Sequence, residues 1–378
     1  MLKTSLTLFF VVSVIFSTIY TPQAILPTLQ SKLDLSMTQT NLLLSGMLFV
    51  LMLSSPFYAP LSRYFQMKKI MLFSISALFL SVLLSAFASG YDMLLISRIL
   101  QGIFIPGITA IMLSYVQEIY PKEHRGLGMG IYMSATAFGG VMGRLLAGKI
   151  TYLYSWREAF LFFALLLVVA FVAMKFGLPD VDRKSIGKVE KNSIFKYLKN
   201  IEILSILLIP MVVFFSFLSI TTYITYHLTK APFSLNDSQL ADIFLVLLLA
   251  VIVAPIVGRY SDLIGRVKVL YLGIISLIFG MVLTLHSSLV VIIVGIAFVT
   301  IGMFSVQSVA PTYLGEKAPE HRRVLSVLYQ TFFYFGGAMG TLLPTFAWNY
   351  GEYRGVVFLC LGLVVLAIIP LSFLKGSK

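Results

Sequence analysis

Apolar residues occur in runs of about 20 along most of the chain, and short polar or turn-forming segments separate them. A helix that crosses the hydrocarbon core of a bilayer needs ~20 apolar residues, because each residue adds only ~1.5 Å of length. The pattern therefore predicts membrane-spanning helices. Twelve spans are predicted, near residues 5–29, 39–62, 70–89, 92–117, 126–150, 156–178, 201–229, 238–259, 268–286, 288–314, 324–348 and 355–374.

The composition agrees with this pattern. Hydrophobic residues make up 59% of the chain and charged residues 11%, and the mean hydropathy is +0.96. Soluble domains carry ~25% charged residues, so this chain lacks the charge that a water-facing surface needs. The first apolar run exceeds the ~7–15 residues of a signal-peptide core and is interpreted as an uncleaved span. We predict an all-α membrane protein.

The basic residues predict an orientation. Most of the 28 Lys and Arg residues lie in alternate connections between spans, and cytoplasmic loops carry the excess of positive charge. This predicts that both termini lie in the cytoplasm. Topology thus explains the net charge of +13, and no nucleic-acid partner is expected, because one would need clustered basic residues on a soluble face. The single Cys360 excludes an intrachain disulfide and a cysteine metal site.

The second half of the chain repeats the first at a spacing of about 198 residues. The clearest matches align Tyr115-Val-Gln-Glu118-Ile-Tyr-Pro121 with Tyr313-Leu-Gly-Glu316-Lys-Ala-Pro319, and Gly139-Gly140-Val-Met-Gly143 with Gly336-Gly337-Ala-Met-Gly340. Parallel repeats of this kind are typical of secondary transporters that bind substrate near the bilayer midplane. We therefore predict an N-terminal six-helix bundle (1–178), a cytoplasmic linker (179–200) and a C-terminal six-helix bundle (201–378), related by pseudo-symmetry.

Three motifs resemble a known family, the major facilitator superfamily. Gly258-Arg-Tyr-Ser-Asp262-Leu-Ile-Gly265-Arg266-Val-Lys268 resembles its loop motif, and Leu94-Leu-Ile-Ser-Arg98-Ile-Leu-Gln101-Gly102 resembles its span-4 arginine motif. The run Gly139-Gly140-Val-Met-Gly143-Arg144 is similar to span 5 of the twelve-span drug/proton antiporter branch, and its form is similar to a YnfM-type bacterial subgroup. The resemblance covers the whole chain and implies the major facilitator fold, in a bacterial cytoplasmic (inner) membrane.

The resemblance also implies a set of gating residues on the cytoplasmic side. Those assigned to gating or conformational change are Gly258, Asp262, Gly265, Arg266, Arg63, Glu118, Arg125, Glu316 and Arg323. Two departures matter: the first-half loop has Arg63 where the family has Asp, and the span-5 motif lacks the usual proline between its glycines. The first puts the gating interaction of that loop in doubt, and the second weakens the inference of export.

Arg98 and Arg144 fall at similar depth within apolar spans of the first half. A guanidinium in hydrocarbon costs at least ~2.5–3.5 kcal/mol, so each should face the protein interior and have a partner or a function. Each arginine either staples neighbouring helices through carbonyl groups or contacts substrate. The second half has no charge at the Arg98 position and has Thr341 in place of Arg144, which favours a functional role.

Other polar side chains fall at comparable depth, and span 1 is the repeat partner of span 7. The predicted substrate-cavity residues are Arg98, Gln101, Arg144, Tyr20, Gln23, Tyr223, Tyr226, His227, Gln307 and Gln330. For each tyrosine the alternative is an ordinary place in the aromatic belt at the membrane interface. Small residues that let helices approach closely are Gly139, Gly140, Gly143, Gly336 and Gly340, which serve either ordinary packing or seams that slide during transport.

Proton coupling finds little support among the 15 acidic residues. Drug/proton exchangers commonly use a carboxylate inside the membrane whose pKa burial raises, and here no acid is central to a span. Asp242 and Glu118 are the candidate proton sites, and the alternative for Asp242 is an acid stabilised by the start of a helix. A substrate anion that carries the proton, or an uncoupled carrier, also fits.

We predict a secondary active transporter that works by alternating access and exports a small anionic, zwitterionic or polar neutral organic compound in exchange for protons. The alternatives are a metabolite uptake symporter and a lipid flippase on the same fold. No enzyme is expected, since no nucleophile–base cluster appears, and no G-x-x-x-x-G-K-[ST] loop for ATP exists. The expected partners are a small-molecule substrate, protons and membrane lipid, with no cofactor and no metal, and the chain is expected to act as a monomer.

Overall fold

A computed structural model describes residues 2–61, 64–121, 124–181, 197–317 and 322–374 of the chain. These residues form α-helices and short 3₁₀ turns, with no strand among them. They divide into two compact units, one made of Met1–Gly187 with Leu235–Leu245 and the other of Lys188–Ser234 with Val246–Lys378. Arg63, the side chain of Arg323 and most of the predicted linker lie outside the described residues.

The first unit contains the predicted spans 1 to 6. Its helices are α1 (Leu2–Tyr20), α2 (Leu26–Lys32), α3 (Met37–Leu61), α4 (Met67–Ala86), α5 (Tyr91–Phe104), α6 (Pro106–Ile119), α7 (Arg125–Leu153), α8 (Trp156–Gly177) and the short α10 (Asp237–Ile243). Spans 1 and 4 are each broken near a proline. In span 1, Pro22 has no N–H to offer the Thr18 carbonyl one turn earlier, so α1 ends at Tyr20 and a 3₁₀ turn, Gln23–Ile25, precedes α2.

Glycines allow α7 to pack directly on the backbone of α1. A Cβ atom added at Gly139 or Gly143 would lie under 3.0 Å from the carbonyl oxygen of Ser13 or Ser17. Gly148, farther along α7, holds α10 equally close, because its Cβ would lie under 3.0 Å from Asp237 O. This close approach explains why residues 235–245, which the repeat places in the second half of the sequence, belong to the first unit.

The second unit repeats this crossing. Its helices are α9 (Ile201–Leu228), α11 (Leu249–Ile264), α12 (Arg266–Leu283), α13 (Leu289–Lys317), α14 (Arg322–Leu342), α15 (Pro344–Leu366) and α16 (Ile368–Ser372). A Cβ atom at Gly336 or Gly340 of α14 would lie under 3.0 Å from the carbonyl oxygen of Met211 or Phe215 on α9. The two halves therefore share one helix-crossing geometry, at the positions where their glycines align.

Ten helical stretches of the described chain are long and apolar enough to cross a membrane. Many large apolar side chains on them are exposed, as expected for surfaces that contact lipid, among them Phe57, Phe73 and Val290. Non-helical dihedral angles at Gly351 and Glu352 interrupt α15, and this break coincides with the predicted loop between the last two spans. The chain is an all-helical, multi-pass membrane protein.

Candidate functional site

Arg98, on α5, is completely buried and ties three helices together. Its Nε donates to Leu43 O at 3.0 Å, its Nη1 to Thr18 O at 3.0 Å and its Nη2 to Ile19 O at 2.8 Å. The Thr18 carbonyl is one that Pro22 leaves without a helical donor. Arg98 therefore caps the broken end of α1 and fixes it to α3.

Gln101 and Met47 complete the partners of Arg98. The remaining Nη1 and Nη2 protons point to Gln101 Oε1 and to Met47 Sδ, the latter at 2.9 Å. Gln101 is also completely buried and donates to Ser85 Oγ at 2.9 Å on α4. All five N–H groups of the guanidinium are thus used inside the protein. The geometry favours the stapling role over substrate contact for both residues.

Arg144, on α7, is buried to the same extent but is held differently. Its side chain is 3% exposed, its Nε donates to Gln23 Oε1 at 2.6 Å and its Nη1 to Gly140 O at 2.7 Å. The guanidinium carbon lies 4.1 Å from the centre of the Tyr20 ring and 5.3 Å from that of Phe244. Within the described ranges Nη2 has no acceptor and no carboxylate forms an ion pair with Arg144.

The structure thus brings five predicted residues of the first unit to one place: Arg98, Gln101, Arg144, Tyr20 and Gln23. Arg98 binds the carbonyls of Thr18 and Ile19, and Arg144 stacks on Tyr20, the next residue of α1. The two cations approach the same end of α1 from α5 and α7. Phe244, in the 3₁₀ turn after α10, was not predicted, since nothing in an apolar run marks which of its aromatic side chains meets a cation.

The equivalent place in the second unit is an aromatic cluster. Tyr223 is completely buried and its hydroxyl lies 2.6 Å from Thr345 Oγ1 and 3.0 Å from Thr341 O. Thr341, the repeat counterpart of Arg144, donates to Ala338 O at 3.0 Å within its own helix. Tyr226 contacts the rings of Tyr223 and Trp348, with 6.1 Å between centroids in each case.

The other predicted cavity residues of the second unit are His227, Gln307 and Gln330. His227 stacks on the ring of Tyr353, with centroids 4.9 Å apart. Gln307 on α13 and Gln330 on α14 are half-buried, and neither makes a hydrogen bond within the described part of the chain. Trp348 and Tyr353 were missed by the sequence analysis, although their alternation with polar residues near the end of a predicted span could have indicated them.

The loop motif of the second half forms an ion-pair network. Gly265 joins α11 to α12 with a φ of 96°, a conformation that a glycine adopts without strain. Arg266 then reaches Asp262 at 3.3 Å and Glu316 of α13 at 2.5 Å. Gly258 offers its carbonyl to Ser261 Oγ at 2.6 Å. Three of the predicted gating residues, Asp262, Arg266 and Glu316, are therefore directly connected. Arg125 lies exposed and Glu118 half-buried at the ends of their helices.

A contact between an acidic residue and a tyrosine in the second unit was not predicted. Glu202, in the first turn of α9, accepts a hydrogen bond from Tyr313 Oη at 2.5 Å and pairs with Lys317 at 2.6 Å. In the first unit Tyr115, the repeat counterpart of Tyr313, donates to Pro179 O at 2.5 Å. The repeated tyrosine was visible in the sequence, and its shared role of holding the segment at the end of α8 or the start of α9 appears only in the structure.

The candidate proton site Asp242 lies at the margin of its helix rather than at its centre. Its carboxylate pairs with Lys149 at 2.7 Å, and the two side chains are 48% and 38% exposed. Lys149 also donates to Ser238 Oγ at 2.8 Å. Asp237, at the start of α10, accepts a hydrogen bond from Thr28 at 2.6 Å. Neither acid forms an ion pair with Arg144 in the described residues.

Two helical units with matching glycine contacts, apolar outer surfaces and a buried polar cluster in the first define the class of protein: a multi-pass membrane protein built from two repeats. The sequence profile of the Major Facilitator Superfamily matches residues 8–341 and 231–377. The chain belongs to the Major Facilitator Superfamily, which confirms the resemblance that its motifs carry. The family match identifies the chain as a secondary transporter.

Similar proteins are bacterial transporters. The chain is 28% identical to YybF, an uncharacterized MFS-type transporter of Bacillus subtilis, over 96% of this chain and 89% of that protein. It is 26% identical to the inner membrane transport protein YnfM of Escherichia coli, over 97% of this chain and 89% of that protein. These relatives are named as transporters and not as enzymes.

Solved transporter structures share the fold. An inward-facing bacterial homologue of the human lysosomal transporter Spinster matches with a TM-score of 0.78 at 16% identity, over 98% of this chain and 95% of that one. The human organic anion transporter MFSD10 matches with a TM-score of 0.74 at 15% identity, over 98% and 99%. At these identities the likeness concerns the fold.

Proposed function

We propose that this transporter exports a small organic compound with anionic or strongly accepting polar groups, in exchange for protons, by alternating access. The observation that carries the proposal is the buried Arg144, which has no carboxylate partner in the described residues. A buried cation without a counter-ion repels a cationic substrate, while an anion that reaches it gains charge-assisted hydrogen bonds.

The helix crossings support a mechanism in which rigid parts move. In each unit, glycines place one helix in backbone contact with another, at Gly139 and Gly143 in the first and at Gly336 and Gly340 in the second. Because the two backbones are in direct contact and protein interiors are close-packed, small side-chain adjustments cannot change the distance between these helices. Alternating access by movement of such units around a fixed site is the mechanism that the repeat supports.

The glycine motif on α7 is the basis for proposing export. The acidic residues Asp242 and Glu118 are the basis for proposing proton exchange. Protonation of Asp242 removes its charge and so weakens its pair with Lys149, which couples a proton to α7 and α10. Glu118 is the second candidate. Uptake is the competing direction, and the specific feature that favours it is the missing proline in the Gly139–Gly143 motif.

Flux assays in proteoliposomes test the proposal. The purified protein is reconstituted, a pH gradient is imposed, and uptake of a panel of labelled carboxylates, zwitterions and organic cations is measured. We expect anionic or zwitterionic compounds to accumulate by moving in the direction opposite to the protons. This accumulation should be lost when the pH gradient is collapsed. Preferred transport of cations, or flux that no gradient alters, contradicts the proposal.

Orientation is part of the same proposal. The charge distribution supports an orientation with both termini in the cytoplasm. The similarity to YnfM, named as an inner membrane transport protein of Escherichia coli, supports a location in a bacterial inner membrane. A reporter that works only in the cytoplasm, fused after Lys378, is expected to be active. Activity with a periplasmic reporter alone contradicts the orientation and reverses the assignment of sides.

A further inference from the structure

We infer that Arg144 forms a carboxylate-binding subsite, in which two aromatic rings hold the guanidinium and its free N–H groups donate hydrogen bonds to one monoanionic head group. The inference rests on the proposed function and narrows its substrate class to compounds with a carboxylate next to a flat apolar body. Arg98, although more deeply buried, takes no part in this subsite.

The two buried arginines differ in how many of their N–H donors the protein uses. A guanidinium has five N–H groups, and Arg98 donates all of them to acceptors in the protein. Within the described residues, Arg144 donates one N–H group to Gln23 and one to Gly140. Both N–H groups of Nη2 and one of Nη1 remain, on adjacent nitrogens, which is the arrangement that binds the two oxygens of a carboxylate.

The side chain of Arg144 is held in one conformation before any ligand binds. Tyr20 and Phe244 lie against the guanidinium, and Gln23 fixes its Nε edge. An arginine held this way loses little side-chain entropy when a ligand binds, because its rotamer is already set. The rings also provide an apolar surface beside the charge, which suits a ligand whose carboxylate is attached to a flat apolar group.

No competing carboxylate pairs with Arg144 among the residues that the structure describes. The acids of α10 are engaged elsewhere, since Asp242 pairs with Lys149 and Asp237 accepts from Thr28. The 3% of the Arg144 surface that remains accessible contrasts with the complete enclosure of Arg98. The second unit has a self-satisfied hydroxyl, that of Thr341, at the equivalent position, so the helix crossing itself does not require an arginine there.

Binding of benzoate to the detergent-purified full chain tests the subsite separately from transport. Labelled benzoate is bound in a scintillation-proximity assay, and unlabelled benzamide and benzylammonium, which have the same ring, serve as competitors. Saturable benzoate binding is expected, with each competitor weaker by about tenfold or more, because only the carboxylate accepts from both nitrogens.

Substitutions assign the binding to Arg144. Arg144→Gln is expected to weaken benzoate binding by about tenfold or more, and Arg144→Lys, which keeps the charge without the fork, to fall between. Arg157→Gln is the matched control, since Arg157 lies on α8, stacks on Trp156 and donates to Ala88 O; its benzoate affinity should equal that of the wild type. If Arg144→Gln does not fold, Arg144→Lys and the competitor ranking of the wild type still decide the question.

The outcomes separate the two proposals. No saturable benzoate binding, equal competition by benzamide, or unchanged affinity in a folded Arg144→Gln protein overturns the subsite. Vesicles that transport other compounds while the subsite test fails leave the transporter function standing. Vesicles that carry no compound of the panel overturn the proposed export, whatever the binding assay shows.

Discussion

The contact between α7 and α1 makes a quantitative prediction, because two glycines of the same helix differ only in their surroundings. A Cβ at Gly143 would lie under 3.0 Å from three backbone atoms of Ser17, whereas a Cβ at Gly130 would meet nothing within 4 Å. Both positions are inside α7 (Arg125–Leu153). Gly143→Ala should therefore force the helices apart, and Gly130→Ala should only remove backbone freedom from the unfolded chain.

Crowding at a tight contact and the helix propensity of alanine change the free energy of unfolding in opposite directions. Overpacking a tight contact costs ~1–3 kcal/mol, while replacing a helical glycine by alanine stabilises by ~0.5–1 kcal/mol. The gain in helix propensity applies to both positions, so the two variants should differ by the overpacking cost alone, roughly 1–3 kcal/mol in the free energy of unfolding. The measurement is the apparent melting temperature of each detergent-purified variant at one scan rate, followed by tryptophan fluorescence, since Trp156 lies in the same unit.

The rank order decides the result. Gly143→Ala should melt below the wild type and Gly130→Ala at or above it. Gly340→Ala and Gly362→Ala form the same pair in the second unit, because a Cβ at Gly340 would meet the Phe215 backbone and one at Gly362 would meet open space. A Gly143→Ala protein as stable as Gly130→Ala would refute the backbone-contact argument.

Three further predictions concern polar contacts. Arg98→Met leaves three buried carbonyl oxygens without their donor, at ~1–3 kcal/mol each, so the yield of monodisperse protein in size-exclusion chromatography should collapse; a variant with normal yield and lost transport would instead make Arg98 a substrate residue. Lys149→Met removes a half-exposed pair with Asp242, worth ~0–1 kcal/mol, and the melting temperature should barely move; a large drop contradicts the assignment of the pair as peripheral. Glu316→Gln should lower the melting temperature more than Asp262→Asn, because the bond from Arg266 to Glu316 is 2.5 Å and that to the exposed Asp262 is 3.3 Å; the reverse order argues that the shorter contact is not the stronger one.

Features that depend on neighbours along the chain were predictable from the sequence. The apolar runs, the repeat and the family motifs are local patterns, because helix length and membrane thickness impose them within about 20 residues. The break in α1 is of the same kind, since Pro22 cannot donate to Thr18. The aligned glycines likewise indicated close helix contacts in both halves, although not which backbone atoms they would meet.

The roles of the two arginines needed the tertiary structure. In the sequence Arg98 and Arg144 look alike, each a cation inside an apolar span, and both were predicted to face substrate. Whether a guanidinium is used up depends on carbonyl groups that other helices place around it, and Arg98 finds them at Thr18, Ile19 and Leu43. Arg144 meets rings and an amide instead.

The sequence by itself thus determined the fold class, the repeat and the family, because hydrophobic length and motif spacing are properties of consecutive residues. Only the tertiary structure decided which charges are satisfied. Arg266 and Glu316 lie 50 residues apart in the chain, and Arg144 and Gln23 lie 121 apart. A hydrogen bond requires donor and acceptor within about 3 Å in a definite direction, and helix packing alone brings such distant residues to that distance.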